Sequence, residues 1–161
     1  MNLKEKEIEE KIRELANDGL LILGVGNILK GDDGFGSYFA MELKKDFPSI
    51  VFDCGVSPEN YISKCINSDA KNVLIVDAVV FGKEAGELFL TSPLNLKRTS
   101  IPTTHGPTLQ LVTEILLSTG KNVYILGVQP LKNELDTSLS KELSNTLKKL
   151  LIIFREALKG E

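Results

Sequence analysis

The sequence lacks the features that mark membrane, secreted and disulfide-rich proteins. No apolar run approaches the ~20 residues that a membrane-spanning helix requires, and residues 1–7 are charged, without the apolar core of a signal peptide. Only two cysteines occur, Cys54 and Cys65, and they do not share CxxC spacing. We therefore expect a cytoplasmic protein whose two thiols are reduced and packed. A metal pair formed by these cysteines is the alternative.

An excess of charge of one sign is also missing. The chain has 19 basic and 22 acidic residues, a formal net charge of −3, which argues against a nucleic-acid or anionic-membrane partner. Hydrophobic residues make up 42% of the 161 positions, which is enough for a core. We predict a single domain over residues 1–161, without repeats or linkers. Within it, an appended N-terminal helix covers 1–18 and the main domain covers 20–159.

Strand-like and helix-like segments alternate along the chain. Apolar runs predict strands over 20–25, 49–53, 73–80, 87–91 and 123–128. Apolar positions at helical spacing predict helices over 3–17, 35–46, 107–118 and 139–159, and one more that begins at Ser57 as N-cap. Only a short turn precedes the strand at 87–91, so we expect it to pair antiparallel at an edge. The order predicts an α/β fold, a three-layer α/β/α sandwich around a mixed, mostly parallel five-stranded sheet.

A glycine-rich turn, GVGNILKGDDGFG at residues 24–36, follows the first predicted strand and precedes a helix. It places Asp32 and Asp33 at the carboxyl end of a strand, where α/β sheets bind their ligands. It is not a dinucleotide fingerprint, because Leu29 stands where GxGxxG needs glycine, and no Gly-Lys-Ser/Thr follows as in a P-loop. The glycines can also serve backbone geometry alone, so the paired carboxylates are the informative feature.

Two further polar residues stand out. Asp77 lies inside the most hydrophobic predicted strand, where a carboxylate without a partner is costly. It either accepts backbone N–H groups of the next loop, or faces the same crevice as the glycine-rich turn. His105, the only histidine, lies just before a predicted helix. A helix N-terminus disfavours positive charge, so we expect the neutral imidazole that binds metals.

Asp33, Asp77 and His105 together make a candidate site for a divalent transition metal. Two carboxylates and one imidazole suit such an ion, and three protein ligands leave positions open for a substrate. Asp32 is the competing ligand. We expect one member of the Asp32–Asp33 pair to coordinate and the other to cap the following helix.

These motifs resemble those of the nickel–iron hydrogenase maturation endopeptidases. That family has a GxGN-x-L-xx-D-D/E-G-x-G turn, and residues 24–36 match it at every fixed position. Its strand ending in Asp-Ala matches Asp77-Ala78, and its loop histidine matches His105. Later family positions, a Gly-x-Gln-Pro motif followed by an acidic residue and Leu-Ser, match Gly127-Val128-Gln129-Pro130, Glu134 and Leu139-Ser140. The chain departs from the family at Cys54, which replaces a glycine near the expected site.

The resemblance implies that the main domain is protease-like. The activity it implies is that of an aspartic-type endopeptidase, which removes the C-terminal extension of a hydrogenase large-subunit precursor after nickel insertion. Asp33, Asp77 and His105 are then the catalytic and metal-binding residues. The nickel is supplied by the substrate, and other divalent metals can occupy the site in vitro. The precursor is the expected partner, with no nucleic acid or membrane.

Three other functions remain open at this stage. The first is a non-catalytic chaperone that checks nickel insertion with the same three residues. The second is a small-molecule-binding α/β protein, and the third is a related protease that acts on another metalloprotein precursor.

Overall fold

The structure is a computed structural model that describes residues 1–92, 106–131 and 138–160. Its strands are β1 (Leu20–Val25), β2 (Val51–Gly55), β3 (Asn72–Ala78), β4 (Leu88–Thr91) and β5 (Asn122–Val128). Its α-helices are α1 (Leu3–Asn17), α2 (Phe35–Leu43), α3 (Ile62–Asn67), α4 (Gly106–Ser118) and α5 (Lys141–Ala157). Two short 3-10 helices, Gly31–Gly34 and Pro58–Tyr61, precede α2 and α3.

The strands form one sheet in the order β2-β1-β3-β5-β4. β1 pairs in parallel with both β2 and β3, and β3 pairs in parallel with β5. β4 lies at one edge, antiparallel to β5. The α/β class, the mixed and mostly parallel sheet, and the antiparallel edge strand are therefore confirmed.

Helices cover both faces of the sheet and give the predicted three layers. On one face, α1, α2 and α5 contribute Ile12, Phe39 and Phe154 to a buried cluster, in which the two rings meet edge to face at 4.9 Å. On the other face, a second cluster contains Cys65 of α3 and Val112 of α4. Full burial of each such side chain stabilises the fold by roughly 1.5–3 kcal/mol. Because α1 packs into the first cluster, its apolar stripe is part of the core; the division of the domain at residues 18–20 stays a prediction.

Several predicted boundaries differ from the structure. The second strand was expected at 49–53 but runs from Val51 to Gly55, because the N–H groups of Ile50 and Val51 both donate to the Phe47 carbonyl and form a turn there. Ser57 is an N-cap residue, as predicted, but of the 3-10 helix Pro58–Tyr61 that precedes α3, and its side chain makes no capping hydrogen bond. The chain first passes through the 3-10 helix, and the Ser57 N–H donates to the Cys54 carbonyl.

The remaining differences are small, and they concern where elements end. β3 ends at Ala78 rather than at residue 80, and α2 ends at Leu43 rather than at residue 46. The last helix spans Lys141–Ala157 within the predicted 139–159. None of the helices among the described residues has the length and apolar character needed to cross a membrane.

One glycine of the turn sets how closely α2 approaches the sheet. A Cβ atom added at Gly36 would lie 2.2 Å from the carbonyl oxygens of both Val25, the last residue of β1, and Val76, a residue of β3. Real Cβ atoms do not come so close to backbone oxygen, so only glycine fits. The first turn of α2 therefore lies directly over the junction of β1 and β3.

Candidate active site

The sheet order creates a crevice at the carboxyl ends of β1 and β3. From β1 the chain first adds β2 on one side and then β3 on the other. Such a reversal is a topological switch point, the usual ligand site of an open α/β sheet. Asp33 belongs to the 3-10 helix that follows β1, and Asp77 is the penultimate residue of β3. This 3-10 helix contacts β3, so the two carboxylates belong to the same edge of the sheet.

The backbone of the glycine-rich turn holds Asp33 in place. The Asp33 N–H donates to the Lys30 carbonyl, and the Asp33 carbonyl accepts from the Asn27 N–H, both at 3.0 Å. The Asn27 side chain in turn accepts from the Leu29 N–H at 3.0 Å, an Asx turn that shapes the loop. Asp33 is 4% exposed. The backbone hydrogen bonds and the burial of Asp33 therefore fix its position in the folded protein.

Asp77 is fully buried in a strand in which every residue is buried. Its Oδ1 accepts a hydrogen bond from the Ala78 N–H at 2.8 Å. This donor is the last residue of β3 and not, as the first interpretation expected, a residue of the next loop. Asp77 lies near the end of the strand, and the prediction that it faces the crevice stays a prediction. A hydrogen bond to the ionised form offsets part of the cost of burying the charge.

Asp32 has a different role from the one expected of it. Its carboxylate accepts hydrogen bonds from the Leu131 N–H at 2.8 Å, the Ser140 N–H at 2.7 Å and the Ser140 hydroxyl at 2.8 Å. Ser140 is the N-cap of α5, where a negative charge also meets the positive end of the helix dipole. The prediction that the non-coordinating acid caps the following helix is wrong, because α2 has no side-chain cap and Asp32 serves α5 instead.

We expect Asp32→Ala to lower the free energy of unfolding by about 2–4 kcal/mol, because three donors that now meet the carboxylate would lose their acceptor. Urea unfolding followed by circular dichroism measures the loss. Asp46→Ala is the matched control, because Asp46 is half exposed and pairs with Arg155 at the surface. It should cost less than about 1 kcal/mol. An equal loss in both variants would contradict the role of Asp32.

Gln129 is a structural residue of the site that the sequence motif contained without revealing its role. Its Oε1 accepts from the N–H groups of Phe81 at 2.8 Å and Lys83 at 3.3 Å, and its Nε2 donates to the Pro130 carbonyl at 3.2 Å. These bonds tie the loop after β3 to the loop after β5. Gln129 therefore fixes the chain that follows Asp77, and the Gln-Pro pair was the available signal.

A second cluster of hydrogen-bonded polar residues lies at the end of β2, around Asp53. The Ser37 hydroxyl and the Gly55 N–H both donate to Oδ1 of Asp53, and the Tyr61 hydroxyl donates to the Asp53 carbonyl. These bonds join the first turn of α2 to the end of β2, beside Cys54. The carboxylate of Asp53 is therefore engaged in holding the loop.

Both cysteines are buried free thiols, as predicted. Burial raises the pKa of Cys54 far above its usual range, and repulsion from Cys65, once that thiol ionises, and from the Asp53 carboxylate raises it further. Burial also raises the pKa of Cys65 to about 11, against the lowering effect of Lys121. At neutral pH both groups are protonated, which makes them poor nucleophiles.

The third predicted ligand, His105, lies outside the described residues, next to Gly106, where α4 begins. Glu134 of the later motif also lies outside them. Within residues 1–92, 106–131 and 138–160, no group of three or more His, Cys, Asp or Glu side chains could hold a metal ion. The structure thus brings Asp33 and Asp77 to one edge of the sheet, while the three-residue metal site stays a prediction.

Comparisons with known proteins agree with this architecture. The family model for HycI hydrogenase maturation proteases matches residues 38–156, a stretch that contains Asp77 and His105 and begins after the glycine-rich turn. The hydrogenase 3 maturation protease of Escherichia coli strain K12 is 32% identical over 112 residues, which cover 68% of this chain and 72% of that protein.

Solved structures share the fold, and two of them show how closely. The crystal structure of the [NiFe] hydrogenase maturation protease HycI from Thermococcus kodakarensis superimposes with a TM-score of 0.79 at 29% identity, and the match covers 93% of this chain and 99% of that one. The solution structure of the endopeptidase HycI from Escherichia coli gives a TM-score of 0.72 at 28% identity, covering 83% and 86%.

Proposed function

Since this chain belongs to the family of hydrogenase maturation proteases, we propose that it is an endopeptidase that removes the C-terminal extension of a nickel–iron hydrogenase large-subunit precursor. Cleavage follows nickel insertion, and the reaction takes place in the cytoplasm without nucleic acid or membrane. The observation that carries the proposal is the pair of buried carboxylates, Asp33 and Asp77, at the switch point of the sheet.

The proposed ligands of the precursor's nickel are Asp33, Asp77 and His105. The donor set fits, because two carboxylates and an imidazole suit a first-row divalent ion and leave positions open for the precursor's own groups. When bound, nickel supplies a Lewis acid that polarises the scissile carbonyl and lowers the pKa of a water molecule. Other divalent metals can occupy the same residues in vitro.

The chain's own residues contribute position and charge. The Ala78 N–H holds one oxygen of Asp77, and the backbone bonds of the turn hold Asp33. Both groups are prepared before the precursor arrives, so no reorganisation is needed at the moment of reaction. Asp32 and Gln129 act indirectly, because they hold the loops that surround the two carboxylates.

The test is to incubate the purified protein with nickel-loaded and nickel-free precursor and to weigh the large subunit by mass spectrometry. We expect a shortened subunit only with the nickel-loaded form. A precursor that is bound but stays full length would overturn the protease function in favour of a chaperone. Stabilisation of the protein by nucleotides in a thermal shift assay, with neither binding nor cleavage, would indicate a small-molecule binder.

A further inference from the structure

Exposed aliphatic side chains lie on the loops at the carboxyl ends of the parallel strands, where the two acids also lie. Each of the four parallel strands is followed, within four residues, by a large aliphatic residue whose side chain is well exposed. These are Leu29 after β1, Val56 after β2, Val80 after β3 and Leu131 after β5, with exposures of 60, 53, 49 and 59%. We call these four residues the apolar rim.

The amino ends of the parallel strands, at the opposite side of the sheet from the acids, do not carry such residues. The residues that directly precede the parallel strands are Gly19, Ile50, Lys71 and Lys121, and among the described residues none of these is a large exposed apolar side chain. Of the remaining exposed aliphatic residues, Ile28 belongs to the same turn as Leu29, and the others lie near the N-terminus or on helices: Met1, Leu3, Ile66, Leu111, Leu117 and Ile152. The rim residues therefore lie at the carboxyl ends of the strands, where the two acids lie, and their counterparts are missing directly before the strands.

Hydrogen bonds of the site hold the rim in place. The Leu131 N–H donates to the Asp32 carboxylate, and the Leu29 N–H donates to the side chain of Asn27. Val80 directly precedes Phe81, whose N–H is bound by Gln129. Leu29 and Leu131 are thus held by their own backbone hydrogen bonds, and Val80 lies next to a residue that is held in this way, which lowers the entropy lost when another surface packs on these three residues.

Several exposed aliphatic side chains around one site indicate an interaction surface. A protein substrate whose cleavage site reaches Asp33 and Asp77 must cross the loops that carry these acids and the rim. The rim residues lie on the loops that follow β2, β1, β3 and β5, which are neighbours in the sheet, so a protein docked on them lies beside the two acids. Protein interfaces bury such apolar residues at their centre and leave polar groups at their periphery.

We propose that the apolar rim is the docking surface of the hydrogenase large-subunit precursor, whose apolar side chains beside the scissile bond pack against it. This inference rests on the proposed function, since it takes the precursor as the occupant. Docking on the rim contributes to binding and leaves the chemistry to the acids.

The experiment compares Val56→Glu and Leu131→Glu with Ile152→Glu. Ile152 is the matched control, because it is an aliphatic residue of 64% exposure on α5. With nickel-loaded precursor, we expect each rim substitution to raise KM about ten-fold, since a charge would replace an apolar contact at the centre of the interface. kcat should stay within about two-fold of wild type, and the control should keep both values.

Unchanged KM in both rim variants, with thermal melting showing that they are folded, would overturn the proposal. A wild-type dimer in sedimentation that the same substitutions convert to monomer would also overturn it, since the rim would then be a contact between copies. If wild type leaves the precursor uncut, the protease function fails separately. The rim is then judged by precursor binding, which should weaken in the two rim variants and persist in the control.

Discussion

Asp77→Asn is expected to leave the hydrogenase precursor at full length, with a loss of at least about 10³-fold in the rate of processing. The amide has the size of the carboxylate and can still accept the hydrogen bond from the Ala78 N–H. It lacks the negative charge that a metal-bound transition state requires. Single-turnover assays with nickel-loaded precursor, analysed by mass spectrometry, measure the rate.

Two further substitutions test the same site, and one tests its specificity. Asp33→Asn and His105→Ala should give a comparable loss, with thermal melting that shows an intact fold. Asp46→Asn is the control, because this carboxylate is half exposed and paired with Arg155 on the surface; it should process the precursor at the wild-type rate. Wild-type cleavage by folded Asp77→Asn or His105→Ala protein would refute the assignment of these residues.

Gly36→Ala is expected to have the largest effect on stability, a loss above the ~1–3 kcal/mol of ordinary overpacking. The added methyl group would lie 2.2 Å from two backbone carbonyl oxygens that belong to different strands of the sheet. Neither oxygen can move without breaking the junction of β1 and β3 under α2. Urea unfolding followed by circular dichroism, together with the yield of soluble protein, measures the effect.

Gly120→Ala is the matched control for that substitution. A Cβ at Gly120 meets nothing within 4 Å, but the residue has a φ of +90°. Only backbone strain opposes alanine there, so the loss should be about 1–2 kcal/mol. If the two variants lose the same stability, the close approach of α2 to the sheet is not what requires glycine at position 36.

Predictions from local patterns agree best with the structure where the residues of one strand or helix are enough to specify its type. The apolar run from Val73 to Val76 predicts a central strand because a strand covered on both faces needs no polar alternation, and β3 is buried throughout. The stripe of α5 is similarly evident from helical spacing. Predictions fail at boundaries such as the start of β2, where a turn at Phe47 takes the backbone hydrogen bonds that a strand would need.

The sequence by itself determined the alternation of strands and helices, the antiparallel edge strand, and the positions of one acid after β1 and another within β3. Periodicity and turn chemistry are local properties, so the sequence displays them directly. Only the tertiary structure decided that Asp32 binds Leu131 and Ser140, which lie 99 and 108 positions further along the chain. It also assigned Gln129 to the loop after β3 and gathered the apolar rim around the acids. Residues that come into contact only when the sheet assembles have no regular spacing in the sequence, so their contacts cannot be predicted from it.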